Sequence, residues 1–210
     1  MPKHAANPET SFDLEGIELE HTACFTGPRP KMLFPYADDP FSEGLRPACS
    51  RVVRRLQGVV EDLHKRDGID CFVTGGAQGF DQLAFWAVNA AKRRNPEIKS
   101  VVFVPFCGQQ DRWHRVGMFG QGEYAKMLSH ADAVYICDRD INVESAHRPA
   151  IAKRLLSRNC RMVDVSSVVV GQYAEDGWQD PSSSPRSGTA ATLRYAAKAG
   201  KRLVVSDFRL

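Results

Sequence analysis

Long apolar runs are missing from this sequence of 210 residues. No stretch approaches the roughly 18 apolar residues of a membrane-spanning helix, and the amino-terminal stretch MPKHAANPETSFDLEGIELE lacks the apolar segment of a signal peptide. We therefore expect a cytoplasmic protein without a membrane partner. Residues 1–20 are polar and show no sustained period, so we predict a flexible arm followed by one folded domain over residues 21–210.

An excess of one charge is also missing, with 28 basic and 25 acidic residues and a net charge of +3. This balance allows a nucleic-acid partner but does not indicate one. The six cysteines contain no CxxC pair and the six histidines no HExxH spacing. We therefore expect reduced thiols, and we assign no metal and no other cofactor.

What the sequence does contain is an alternation of short apolar runs and longer helical patterns. The runs are nearly continuous in apolar residues, which is typical of parallel strands covered on both faces. They are TACFT (22–26), CFVT (71–74), SVVFVPF (100–106), AVYIC (133–137), SSVVVGQY (166–173) and RLVVS (202–206). The alternation predicts an α/β fold, an open and mostly parallel doubly wound sheet of about six strands flanked by helices, with ligands beyond the carboxyl ends of the strands.

A glycine-rich turn, TGGAQGFD, joins the second predicted strand to a helical pattern. Gly75, Gly76 and Gly79 allow close approach of the backbone, and the amides of a helix amino terminus attract anions such as phosphate. A tight turn without a ligand is the alternative. Three roles are open for Asp81: it interacts favourably with the helix dipole, accepts a hydrogen bond from a ribose, or fixes the loop.

Two further segments offer anion contacts. In PRSGTAATLRYA, Ser187, Gly188 and Thr189 begin another predicted helix, either as a second anion subsite or simply as its cap. In FTGPRPKM, the prolines on either side of Arg29 restrict this arginine, which suits recognition of an anion, although an ordinary solvated arginine is the alternative. In a parallel sheet these turns fall on one edge, so a single ligand could bridge them.

The segment RNCRMVDVSS is interpreted as a helix end and a loop, with a helix from Arg148 to Arg158 before it. Asn159 and Asp164 are candidates for contact with a base or ribose. Helix capping and turn formation explain both residues nearly as well.

Five motifs in this order resemble the YpsA-like branch of the SLOG superfamily, over roughly residues 22–205: FTGPRP, TGGAQGFDQLA, VPFCGQQDRW, RNCRMVDVSSVVV and SGTAATLRYAAKAGK. The superfamily includes the DNA-processing protein DprA and the LOG phosphoribohydrolases. The resemblance implies a Rossmann-like fold that binds a nucleotide or nucleotide-derived ligand at the strand ends. Its motifs fall on Thr26, Gly27, Arg29, Gly75, Gly76, Ala77, Gly79, Asp81, Ser187, Gly188 and Thr189.

The resemblance also bears on catalysis, because the LOG enzymes carry a glutamate two residues after the threonine of their last motif. Ala191 occupies that position here, and no carboxylate occurs from Pro181 to Val205. We assign no catalytic residue. We expect sensing or sequestration of a phosphorylated, nucleotide-derived small molecule, with a LOG-type N-glycosidase and DprA-like binding of single-stranded DNA as alternatives.

Two further expectations follow from this interpretation. The superfamily and the two-fold symmetry of most soluble assemblies suggest a homodimer. Gly76→Val is predicted to abolish stabilisation by ligand while lowering the melting temperature of the free protein only modestly.

Overall fold

The computed structural model describes residues 17–34, 44–139, 148–173, 176–182 and 187–209. Six strands form one sheet in which every neighbouring pair is parallel, in the order β4-β3-β2-β1-β5-β6. The strands are β1 (Thr22–Thr26), β2 (Cys71–Thr74), β3 (Lys99–Val104), β4 (Ala133–Ile136), β5 (Val168–Gln172) and β6 (Arg202–Ser206). The predicted Rossmann-like α/β fold is confirmed.

Helices cover both faces of this sheet. They are α1 (Pro30–Leu33), α2 (Leu45–Asp67), α3 (Phe80–Lys92), α4 (Gln121–His130), α5 (Arg148–Asp164) and α6 (Gly188–Lys198). Successive residues of β1 point to opposite faces. Ala23 and Phe25 join the core beneath α2 and α3, whereas Cys24 joins the core beneath α5 and α6.

The long helix α2 shows why the apolar spacing predicts its packing. Val52, Leu56, Val60 and Leu63 recur every three or four residues and are buried against the sheet and α3. The helix ends at Gly68, whose left-handed conformation lets its N–H reach the carbonyl oxygens of the last turn. Arg51, Arg54 and Arg55 lie at exposed positions of α2, and Arg93 and Arg94 are exposed just after α3.

The largest departure from the predicted elements concerns α5. This helix continues to Asp164, six residues beyond the predicted end at Arg158, so Arg158 and Asn159 lie inside the helix and not at its end. Strand β3 ends at Val104, two residues before the predicted limit. Residues 1–16 of the predicted arm lie outside the described residues, and Leu19–His21 form a short 3-10 helix. The single domain over residues 21–210 stays a prediction.

The strand order predicts a crevice between the carboxyl ends of β1 and β5. From β1 the chain continues to β2 on one side, and β5 lies on the other side of β1, so the direction of winding reverses between β1 and β5. Loops that leave the carboxyl ends of two such strands diverge and open a crevice at the sheet edge. The predicted binding motifs after β1 and before α6 both flank this point.

Candidate functional site

A cavity of about 1260 Å³ lies at the carboxyl ends of β1 and β5. The loop after β1, the residues after β5, the middle of α5 and the amino terminus of α6 form its walls. Its described lining comprises Thr26, Gly27, Pro28, Arg29, Met32, Ala77, Asp81, Ala152, Leu155, Leu156, Arg158, Asn159, Gln172, Tyr173, Ser187, Gly188, Thr189, Ala191 and Arg209. The cavity brings together nine of the predicted site residues, from four separate parts of the chain.

The amino terminus of α6 supplies backbone donors to this cavity. Ser187 is the cap residue, and its hydroxyl oxygen accepts a hydrogen bond of 3.1 Å from the N–H of Ala190. The N–H groups of Gly188 and Thr189, which begin the helix, have no acceptor within it. The predicted cap is therefore present, and the same residues line the cavity, while the second anion subsite stays a prediction.

The glycine-rich turn after β2 is built differently, because its own chain supplies the anion. The Asp81 carboxylate accepts a hydrogen bond of 3.3 Å from the N–H of Ala77. Asp81 is buried, and burial raises the pKa of its carboxyl group, while Arg158, Arg29 and backbone donors of Ala77 and Gly75 act in the opposite direction. Of the roles considered for Asp81, fixing the loop is the one that the contacts support.

Arg158 from α5 completes this buried network. Its Nη1 donates to the carbonyl oxygens of Gly75 and, at 3.1 Å, of Phe103, and it lies 4.0 Å from the Asp81 carboxylate. Only 3% of Arg158 is exposed, and burial lowers the pKa of its guanidinium. Its Nε has no partner in the described part of the protein, although Arg158 lines the cavity. A buried donor without an acceptor is costly unless a ligand or a water satisfies it.

Three of the predicted glycines do not line the cavity. Gly75 abuts the Arg158 guanidinium, and Gly79 has a φ of 94° with its missing Cβ directed at the Pro28 carbonyl oxygen, 2.7 Å away. Gly76 has a φ of 64° and faces the buried side chains of Met127 and Tyr124. The structure gives these glycines packing contacts, so we now expect Gly76→Val to destabilise the free protein, in contrast to the prediction from the sequence.

The two candidates on α5 are separated. Asn159 lines the cavity and donates from Nδ2 to the Thr192 hydroxyl oxygen at 2.8 Å, and that hydroxyl in turn donates to the carbonyl oxygen of Gly188. Asp164 is not part of the cavity lining, and its carboxylate accepts a hydrogen bond of 2.7 Å from the Tyr195 hydroxyl. Asn159 thus supports the beginning of α6, whereas Asp164 links α5 to α6.

Several lining residues escaped the sequence analysis. Met32, Leu155 and Leu156 form an apolar wall, in which Met32 is 73% exposed and Leu156 is 43% exposed. One feature of the sequence indicates that Arg158 is buried. It stands between Leu155 and Met162, at the spacing of the apolar stripe of α5. An arginine at a core position indicates a buried, satisfied charge.

The comparisons with known proteins agree with this architecture. The YspA SLOG family model matches residues 27–178, more than half of the chain. The chain belongs to the YspA SLOG family. The matched range ends before α6, so the donors of Gly188 and Thr189 lie outside the part that the SLOG model covers.

Two relatives of this SLOG chain can be named. An uncharacterised SPbeta prophage-derived protein of Bacillus subtilis, YoqJ, is 30% identical over 161 residues, which cover 72% of this chain and 84% of YoqJ. DNA processing protein A from Helicobacter pylori has a similar structure, with a TM-score of 0.51 and 18% identity over 93% of this chain and 71% of that one. That structure is described as showing a single-stranded DNA binding mode. At 18% identity, this similarity shows only that the two proteins share a fold.

Two other features are absent from the described residues, a metal-binding cluster and a membrane-spanning helix. These residues contain no group of three or more His, Cys, Asp or Glu side chains placed to hold a metal ion. Within the same ranges, no helix combines the length and apolar character needed to cross a membrane.

Proposed function

We propose that this protein binds a phosphorylated, nucleotide-derived small molecule in the cavity between β1 and β5, for sensing or sequestration. The observation that carries the proposal is the charge of the lining: three arginines, Arg29, Arg158 and Arg209, stand against one carboxylate, Asp81, among its described residues. The amino terminus of α6 opens onto the same cavity, and a helix amino terminus favours an anion through its free N–H groups and its dipole.

The remaining lining supports a ligand that is more than an anion. Met32, Leu155 and Leu156 offer an apolar wall on which the face of a base could pack. Asn159 and Tyr173 offer an amide and a hydroxyl group for the polar edges of a base or for a ribose. A phosphate bound at α6 with a ring against α1 and α5 uses both kinds of surface.

Binding without turnover is supported by the state of the one carboxylate. The Oδ2 atom of Asp81 is engaged within the protein, by the Ala77 N–H and the Arg158 guanidinium. Ala191, which stands where the LOG enzymes carry a glutamate, lines the cavity with a methyl group. Cleavage of a ribosyl bond benefits from a carboxylate that stabilises positive charge or activates water. The described lining supplies no carboxylate in such a position.

Single-stranded DNA is the second candidate ligand. The observation in its favour is the similar fold of DNA processing protein A, whose structure is described as binding such DNA. A cavity with exposed arginine and with Tyr173 at its wall could also receive a nucleotide of a longer strand. DNA binding of this kind weakens steeply as salt is added, because the protein displaces counterions from the phosphates.

One set of measurements tests the proposal. The purified protein is analysed by native mass spectrometry for bound small molecules and is then titrated with nucleoside monophosphates, ADP-ribose and NAD while melting is followed. We expect stabilisation by a phosphorylated compound and no release of free base. Released base would favour the N-glycosidase, and tight, salt-sensitive binding of an oligonucleotide alone would favour DNA as the ligand.

A further inference from the structure

The segment after β6, residues 207–209, is fastened to the cavity by a network of its own. The Asp207 carboxylate accepts hydrogen bonds from Gln172 Nε2 at 2.8 Å and from the backbone N–H of Arg209 at 3.0 Å. The N–H of Phe208 donates to Gln172 Oε1 at 2.8 Å, and the Phe208 ring stacks on Phe80 at 5.9 Å. Each residue of this segment therefore has a defined position.

This network holds the Arg209 guanidinium in one orientation. Its Nε and Nη2 donate to the two oxygens of Asp207 at 2.8 and 2.7 Å. These hydrogen bonds hold the pKa of Asp207 well below its usual range. A guanidinium has five N–H donors, so this side-on pair leaves Nη1 available for an anion. The side chain is 34% exposed and lines the cavity.

Arg209 and the amino terminus of α6 belong to different elements that both line the cavity. Ala190 and Leu193 of α6 pack in the core beneath α5 and α6, whereas Phe208 packs in the core beneath α2 and α3. Arg209 follows the edge strand β6, whereas Gly27 and Arg29 of the same lining follow β1, two strands away, so the lining extends over roughly 10 Å at a spacing of about 4.8 Å per strand. A cavity of about 1260 Å³ that extends this far has room for a second anionic group besides a phosphate at α6.

We propose that Arg209 binds a second anionic group of the ligand, separate from the phosphate at the amino terminus of α6. The ligand class is then a nucleotide derivative with two separated anionic groups. This inference rests on the proposed function and adds to it the number and spacing of the charges. Asp207 acts as a positioning residue, since it orders the guanidinium before the ligand arrives and so lowers the entropy lost on binding.

The test compares Arg209→Gln with a matched control, Arg202→Gln. Arg202 begins β6, at the amino-terminal end of the strand and so away from the cavity. It makes the same kind of two-point pair, with Asp67 at 3.0 and 2.6 Å. Calorimetric affinities are measured for the common nucleoside 5′-monophosphates and their 3′,5′-bisphosphates. We expect Arg209→Gln to weaken the best bisphosphate by roughly ten- to a hundredfold, the loss of one charge-assisted hydrogen bond. The monophosphates should change little, and Arg202→Gln should bind like the unmodified protein.

The outcomes separate the inference from the proposed function. Equal weakening of both ligand classes, or no weakening of either, would overturn the second anionic group while leaving the binding site intact. A protein that binds none of the probes before mutation would overturn the proposed function itself. Arg209→Lys keeps the charge but loses the planar fork, so we expect it to retain part of the preference for the bisphosphate.

Discussion

Arg158→Met is expected to lower the free energy of unfolding by about 3–5 kcal/mol, because it leaves a buried carboxylate without its nearest cation. Methionine replaces the aliphatic part of the arginine side chain, yet the carbonyl oxygens of Gly75 and Phe103 lose their donor. Asp81 is 6% exposed and cannot turn to solvent without moving the glycine-rich turn. Urea denaturation measures the loss.

Arg154→Met is the matched control for this effect. Arg154 lies one turn earlier on α5 and pairs with Asp138 at 2.6 Å, but about a third of each side chain is exposed. Exposed pairs contribute only about 0–1 kcal/mol. Similar losses in the two variants would show that the buried network does not set the stability.

The pH dependence of Arg158→Met separates charge from packing. Burial raises the pKa of Asp81, and removal of Arg158 takes away the strongest opposing influence, so this pKa rises further. A group with a raised pKa in the folded state contributes stability at low pH that is lost as the pH rises through that value. The deficit of the variant should therefore shrink as the pH is lowered from neutrality towards the usual pKa of an aspartate. A constant deficit would assign it to packing alone.

Gly76→Val is expected to destabilise the free protein by about 3 kcal/mol or more. A β-branched residue is strained at a φ of 64°, and the added Cβ would stand 2.9 Å from Met127 Cε and 3.1 Å from side-chain carbons of Tyr124 and Val102. All three side chains are buried, so none can move aside freely. Thermal melting without ligand measures the effect.

Gly200→Val separates backbone strain from the steric overlap of the added side chain. Gly200 has a similar φ of 69°, but a Cβ there meets no atom within 4 Å. This control should therefore lose only the cost of backbone strain, about 1–2 kcal/mol. A Gly76→Val protein that melts within a few degrees of the unmodified one would restore the original interpretation of Gly76 as a ligand contact.

The sequence predicts the sheet well because local apolar runs carry the information. The limits of β1, β2 and β6 agree with the prediction, and residues of β1 and β2 are buried throughout. The predicted end of α5 was wrong because a polar helix boundary is suggested by four residues, Arg158, Asn159, Arg161 and Asp164. All four residues bond to other parts of the fold. Arg158 donates to Gly75 after β2 and to Phe103 of β3, Asn159 and Asp164 bond to α6, and Arg161 donates to the Cys137 carbonyl oxygen after β4.

The site is predictable in its position but not in its contacts. The motifs at Gly27, Ala77 and Gly188 indicate the edge of the sheet at which the cavity lies, since the carboxyl ends of parallel strands share that edge. Local sequence cannot show that Asp81 turns inwards to the Ala77 N–H, because that depends on Arg158, which lies 77 residues further along the chain. Arg209 likewise depends on Gln172 and Asp207 for its position.

The proposed binding site is tested most directly by Gly188→Asp. A Cβ at Gly188 meets no atom within 4 Å, and an aspartate in the first turn of α6 favours the helix dipole, so the free protein should melt at the same temperature or slightly higher. The unmodified protein with a ligand at one hundred times its Kd should gain about 2.7 kcal/mol of stability.

We predict that Gly188→Asp loses this gain, because its carboxylate repels the phosphate and occupies its place. Thermal melting of both proteins with the ligand found by mass spectrometry is the deciding measurement. Stabilisation of Gly188→Asp equal to that of the unmodified protein would contradict an anion site at the amino terminus of α6.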